Sequence, residues 1–466
     1  MRPVTDNQVR SSPVLTHGND ARPGELRPAR VALFAAACGI AVANIYYSQP
    51  LVGLIAPAVG IHAGSAGLIV ALTQLGFGAG LLCLVPLSDV IENRRLVLWA
   101  CGAVAVGLLG IALSVSAAPF MVASFVVGVS AVATQILVPF ASHLAPEASR
   151  GKVVGNVMSG LLAGIMLARP ISSYVAAALG WRAVFYISAG VMVALMLVLW
   201  RALPRRLPSP HLTYLQIMRS LYGVAARTPL LRRRAFYQGM MFAGFNLFWT
   251  GSPLLLVNEF SLGQRGIALF TLAGAAGALS APLAGRLADR GLTRPATGWA
   301  LIAAALAFAV AIEAGRTHSL PLLLVAALVL DAAVQVCQVL SLRGIYMLAP
   351  EIRGRLNGLY MAFVFVCGAM GSGLAAAVYV MWGWGALAAL GASLVVAALA
   401  RYLTEFRGEI GAPGNFGTTG TVGDGRRVMQ AQQTVAQPAR RYRRNAFDRR
   451  ADEGRTSPAF SATRGS

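Results

Sequence analysis

Few ionisable residues fall inside the long apolar segments of this chain, and two of them, Asp331 and Arg169, sit deep within theirs. A charge surrounded by apolar sequence is costly, so each such residue marks a functional hypothesis and needs a partner. Asp331 lies roughly 18 Å into its segment at the helical rise per residue. Gln335 and Gln338 follow it at helical spacing and extend one polar stripe. The stripe serves either a hydrogen-bond network inside the protein or a proton relay. Arg169 either binds an anionic group, pairs with an acid or extends its head to an interface. Two runs place amides and aromatics just ahead of a proline, Asn44 to Pro50 and Asn246 to Pro253. Helical spacing puts Asn44 with Tyr47, and Asn246 with Trp249 and Thr250, on one face each. Aromatics with a polar tip suit stacking and hydrogen bonding to an amphipathic ligand, whereas a belt at a membrane surface competes for Tyr46, Phe248 and Trp249. Gln74 and Gln135 are lesser candidates for the same cavity.

The elements that would position these residues follow from composition. The 466 residues are 57% hydrophobic and only 12% charged, half the charged share of about a quarter in soluble domains. Using Gly, Pro and charge clusters as breaks, twelve segments reach the ~20 apolar residues a crossing helix needs. They fall near 31–55, 66–87, 96–115, 119–142, 153–177, 181–201, 234–257, 266–286, 296–314, 319–342, 355–380 and 383–403. The formal charge of +22 sits in the loops and tails, the pattern of membrane orientation rather than of nucleic-acid binding. Alternate connections carry Arg94 and Arg95, Arg150 and Lys152, Arg286 and Arg290, Arg353 and Arg355, and the long 202–233 linker. Excess arginine marks the cytoplasmic side, so both termini are expected there. Residues 1–30 contain no apolar core ahead of a cleavage site, and no signal peptide is expected. The five cysteines lie singly in apolar runs, so no disulfide framework, metal site or cofactor is expected.

The chain also repeats itself. LAPEASRG at 144–151 returns as LAPEIRG at 348–354, NIYYSQPL at 44–51 as NLFWTGSPL at 246–254, and Gly180-Trp181 as Gly383-Trp384. Six segments per half leave equivalent helices in the same orientation, a parallel repeat about an axis along the membrane normal. The expected fold is all-α and polytopic: two six-helix bundles, residues 31–201 and 234–403, joined by the basic linker 202–233. Tails at 1–30 and 404–466 lack the apolar pattern needed to fold alone, and the Arg440–Arg444 cluster is read as part of such a tail.

In these features the chain resembles transporters of the major facilitator superfamily. The resemblance covers about residues 31–403. GRLADR, from Gly285 through Asp289 to Arg290, matches the first part of that family's 2–3 loop motif, whose physical logic is a carboxylate and arginines at helix ends. The first-half copy keeps Asp89, Arg94 and Arg95 but neither glycine. The resemblance implies a cytoplasmic gate at these residues. GLLAGIMLARPISS, from Gly160 to Ser173, is similar to the Gly/Pro-rich fifth helix of drug:proton antiporters. There Gly160 and Gly164 allow close helix packing beside Pro170, while Ala-Arg-Pro replaces the usual Gly-Pro.

The expected function is a secondary active transporter moving a small molecule by alternating access, with protons as coupling ion and efflux as direction. The alternative is an uptake symporter or uniporter for a small metabolite, an anion if Arg169 binds it. A non-transporting membrane sensor is the third reading. HExxH, GxSxG and P-loop motifs are absent, so no enzyme is expected. All five histidines fall in tails, loops or segment ends, which leaves Asp331 as the proton carrier. A monomer in a bacterial inner membrane, surrounded by lipid and without nucleic acid, completes the expectation.

Overall fold

The computed structural model describes residues 28–204, 213–348 and 352–410. Most of both tails, Arg205 and Arg206 of the linker, Pro350 and Glu351 of the second repeat and the Arg440–Arg444 cluster lie outside the described residues. The described residues up to Tyr402 form one compact unit.

The described secondary structure is helical throughout. The first half contains α1 (Pro28–Ala43), α2 (Val52–Ala58), α3 (Leu68–Cys83), α4 (Asn93–Leu113), α5 (Ala117–Ser130), α6 (Ala133–Leu144), α7 (Arg150–Leu179) and α8 (Trp181–Ala202). A linker helix, α9 (Tyr214–Arg227), leads to α10 (Pro229–Asn258), α11 (Gln264–Ala275), α12 (Ala281–Asp289), α13 (Thr293–Arg316), α14 (Leu320–Tyr346) and α15 (Arg353–Ile410). Nine helical stretches among the described residues are long and apolar enough to cross a membrane, against the twelve expected. The difference has physical causes. Segment 1 is cut at the NIYYSQP run, where turns and a 3-10 turn replace the helix between α1 and α2. Segment 8 is split into α11 and α12 by a 3-10 turn at Ala276–Ser280. Segments 11 and 12 merge into α15, whose only non-helical residue is Gly383. Segment 7, by contrast, continues unbroken through its proline, as α10 runs on past Pro253.

Equivalent helices make equivalent contacts. In the first half α1 packs on α7, α3 on α5 and α4 on α8. In the second half Gly371 of α15 meets Ala243 of α10, Gly277 meets Leu328 of α14, and Gly391 meets Phe308 of α13. Each pair is the first-half pair moved six segments on, which is the parallel repeat in three dimensions. The two halves meet where α7 packs on α11 and where the ring of Phe77 of α3 lies tilted against that of Phe365 of α15, centroids 4.5 Å apart.

The repeated Gly-Trp corners have a backbone cause. Gly180 and Gly383 have φ of +81° and +76°, a region that only glycine enters without strain. Close packing explains Gly160 and Gly164: a Cβ on either would fall within 2.4 Å of α1 backbone at Ala35 or Gly39. Lipid-facing surface is plain in Trp99, Val106, Trp200, Trp299, Leu306 and Trp382, each at least half exposed. Linker helix α9 buries Ile217 and Leu221. It touches both halves, as Tyr214 Oη donates to the Cys83 carbonyl at 3.1 Å and Arg355 donates to Ser220 Oγ at 3.3 Å.

Candidate substrate and coupling site

Five side chains from the two halves close a hydrogen-bonded ring at the centre of the bundle. Gln49 Nε2 donates to Asn246 Oδ1 and to Thr250 Oγ1, each at 3.3 Å. Gln74 Nε2 donates to the same Asn246 oxygen at 2.5 Å. Ser372 Oγ donates to Gln74 Oε1 at 3.5 Å and accepts from Thr250 Oγ1 at 3.2 Å. Gln49 sits in the break between α1 and α2 and Gln74 in α3, whereas Asn246 and Thr250 lie one helical turn apart in α10 and Ser372 in α15. All five are buried. Buried polar groups must be hydrogen-bonded to be tolerated, and here most of the bonding runs between halves. Separating the halves at this level therefore exposes or orphans the ring.

Arg169 joins the ring from α7, donating from Nε to Gln49 Oε1 at 2.8 Å. Only 3% of it is exposed, so it does not reach an interface. Its guanidinium lies over three aromatic rings: Trp249 at 4.6 Å, Phe245 at 5.1 Å and Tyr46 at 5.4 Å. Cation–π contact of this kind stabilises a desolvated guanidinium by about 2 kcal/mol. It leaves part of the hydrogen-bonding capacity unused, as Arg169 Nη2 is buried without an acceptor. Asp331, from α14, accepts a hydrogen bond from Trp249 Nε1 at 2.7 Å. Trp249 therefore carries the cation on its face and the carboxylate at its edge. Neither charge makes an ion pair among the described residues. Around Trp249, Gly274 leaves no room for a side chain, since its Cβ would come within 2.5 Å of the indole.

The remaining candidates lie elsewhere. Asn44 is committed within the first half: its oxygen accepts from Ser188 Oγ at 2.7 Å and its amide donates to the Ile40 carbonyl at 2.9 Å. Tyr47 lies beside Ser188 too. Gln335 is half-buried, and Gln338 reaches Met361 Sδ at 4.0 Å. Gln135 accepts from Asn357 Nδ2 at 3.2 Å, a contact between halves nearer the arginine-rich face. At that face Asp289 pairs with Arg343 at 2.5 Å, and Arg343 also donates to the Gly285 carbonyl at 3.4 Å. Asp89 has Arg355 as its charged neighbour and lines a cavity of about 150 Å³ with Asn93 and His143. Arg95 pairs with Glu92 at 3.0 Å, Arg94 donates to the Trp200 carbonyl, and Arg290 is exposed. Pro170 is buried next to Arg169.

Sequence reasoning set Thr250 on the face it occupies but left Gln49, Ser372, Tyr46 and Phe245 outside the central cluster, and Arg343 and Arg355 outside the gate pairings. Gln49 carried a signal, as it lies in a repeated amide-aromatic run; Ser372 carried none beyond its place in a Gly-rich helix.

The chain matches the Major Facilitator Superfamily over residues 31–290 and 234–446. It belongs to the major facilitator superfamily. It is 41% identical to the uncharacterized transporter YgaY of Escherichia coli O157:H7, over 82% of this chain and 96% of that one. It is 29% identical to the probable transporter SCO4007 of Streptomyces coelicolor, over 78% of this chain and 84% of the other. Among solved structures, a D-xylose-proton symporter superposes with a TM-score of 0.64 at 14% identity, covering 80% of this chain and 96% of that one. At that identity the likeness is one of fold. The superfamily protein is thus a multi-pass membrane transporter for a small molecule, built as two helical domains related by a repeat.

Proposed function

We propose that this transporter is proton-coupled and carries a small organic anion, with Arg169 as the anchor for the ligand's acidic group and Asp331 as the proton carrier. The observation that carries the reading is Arg169: a buried cation with an unbonded Nη2 and three rings for a ligand's apolar body. A buried charge without an ion pair and with a donor unmet is costly, so a ligand carboxylate supplies what the site lacks. One buried cation cannot serve two anions equally. Protonation of Asp331 removes its claim on Arg169 and favours the ligand, so proton and anion bind together and move in one direction. That is symport, and with protons driven inward it is uptake across a bacterial inner membrane, the arginine-rich face and both termini being cytoplasmic and the protein a monomer.

Efflux by proton antiport is the second reading. It is favoured by the aromatic cluster of Phe242, Phe245, Trp249 and Phe270 around the site, which suits an amphipathic drug-like ligand.

Proteoliposomes with an imposed pH gradient separate the two. Radiolabelled aromatic and aliphatic carboxylates should accumulate inside when the outside is acid, and Arg169→Gln should abolish this. Cationic dyes moving against the proton flow would favour antiport instead. Flux of any ligand that ignores the pH gradient would remove proton coupling altogether.

A further inference from the structure

On the arginine-rich face, away from the central ring, α10 and α15 form a second site. Pro229, Arg232, Arg233, Phe236 and Arg401 line a cavity of about 390 Å³ there. Arg232 and Arg233 belong to the first turn and a half of α10, and Arg401 lies close to the end of the compact unit on α15. Arg233 and Arg401 also have other partners, so the cavity holds a basic surface rather than three idle cations. The first turn of a long helix adds partial positive charge from its unpaired amides. Guanidinium groups are matched to phosphate oxygens in geometry as well as in charge.

The surroundings identify the form in which a phosphate would arrive. Immediately before Arg401, residues Val396, Ala397 and Ala400 of α15 are exposed and recur at helical spacing. An exposed apolar stripe ending in arginine at the polar rim of a membrane helix fits an acyl chain below and a headgroup above. Phe236, half-buried on α10, supplies apolar surface on the other wall. We propose that this cavity binds the phosphodiester headgroup of an anionic phospholipid, held by Arg232, Arg233 and Arg401, with an acyl chain along the α15 stripe.

The test uses the full chain in phosphatidylcholine nanodiscs to which phosphatidylglycerol is titrated, read by thermal unfolding and by native mass spectrometry of retained lipid. Wild type should gain melting temperature as phosphatidylglycerol increases and should retain that lipid. Arg232→Gln/Arg401→Gln should bind it roughly thirtyfold more weakly, at the contribution of each basic residue near an anionic surface. Arg219→Gln/Arg227→Gln removes the same charge from the α9 linker and should leave binding unchanged. Equal losses in both double variants would reduce the effect to general surface charge and overturn the site. Inorganic phosphate competing with the lipid, or raising the melting temperature as much in detergent, would identify a free-anion site and overturn the lipid assignment. No response of wild type to phosphatidylglycerol would overturn both.

Discussion

The two halves are built alike and charged differently. Counting from the repeated Arg-Gly pair, Ser372 in α15 occupies the place of Arg169 in α7. Counting back from the repeated Leu-Ala-Pro-Glu, the place of Asp331 is taken in the first half by Val127. The cation of the central site therefore belongs to one half and the carboxylate to the other, with Trp249 between them. The carboxylates of the repeated loop diverge too. Asp289 is held inside its own half by Arg343, whereas the position matching Arg343 in the first half is Pro139, and Asp89 looks instead to Arg355 across the interface. Packing residues tolerate duplication because both halves need the same helix contacts. Charges at the interface do not, because like groups facing each other across a two-fold axis would repel or leave each other unsatisfied.

The sharpest way to break the comparison is to remove the central charges one half at a time. Asp331→Asn should insert and fold yet reduce gradient-driven transport to the level of empty liposomes, while ligand binding at low pH persists; pH-driven flux equal to wild type would end its coupling role. Arg169→Gln should weaken ligand binding roughly 30-fold or more, as expected for a buried charge-assisted contact. Its effect should appear in KM before kcat, measured on the best carboxylate substrate. Packing should respond next. Gly164→Val places a side chain against the Gly39 backbone and should destabilise the first half by about 1–3 kcal/mol, seen as a lower Tm in detergent. Gly180→Ala and Gly383→Ala should each cost about 1–2 kcal/mol, and equally, because the corners share their positive φ; a marked inequality would show that the repeat is not equivalent there. Smallest of all, a double-mutant cycle on Asp289 and Arg343 should give a coupling of about 1 kcal/mol or less, since the Asp289 side chain is largely exposed and Arg343 partly so.

Much of this architecture was legible in the residues. Apolar segments, positive loops and the duplicated corners carry the fold, because lipid imposes length and orientation on any chain that crosses it. The central charges were legible for the same reason, since buried ionisable groups are rare enough to notice. What sequence missed, it missed through periodicity. Asn44 and Tyr47 do meet, at Ser188, but the chain turns at residues 44–48, and helical spacing does not carry on past them to Gln49. That turn sends Asn44 to Ser188 and brings Gln49 to Asn246. The unbroken α10 obeyed the helical rule, and there Asn246, Trp249 and Thr250 do converge. Arg343 was not singled out in the sequence, and only the fold brings it to Asp289.

Linker helix α9 has a mechanical consequence. Tyr214 is fastened to the end of α3 and Ser220 to the start of α15, and six residues of helix separate those anchors by roughly 9 Å. A short helix is stiff, so with both bonds made it works as a strut that fixes the gap between those two membrane helices. Any movement that widens the gap must first release one of the two fastenings. The slowest step of the transport cycle can therefore sit in the connecting segment, at a distance from whatever is being carried.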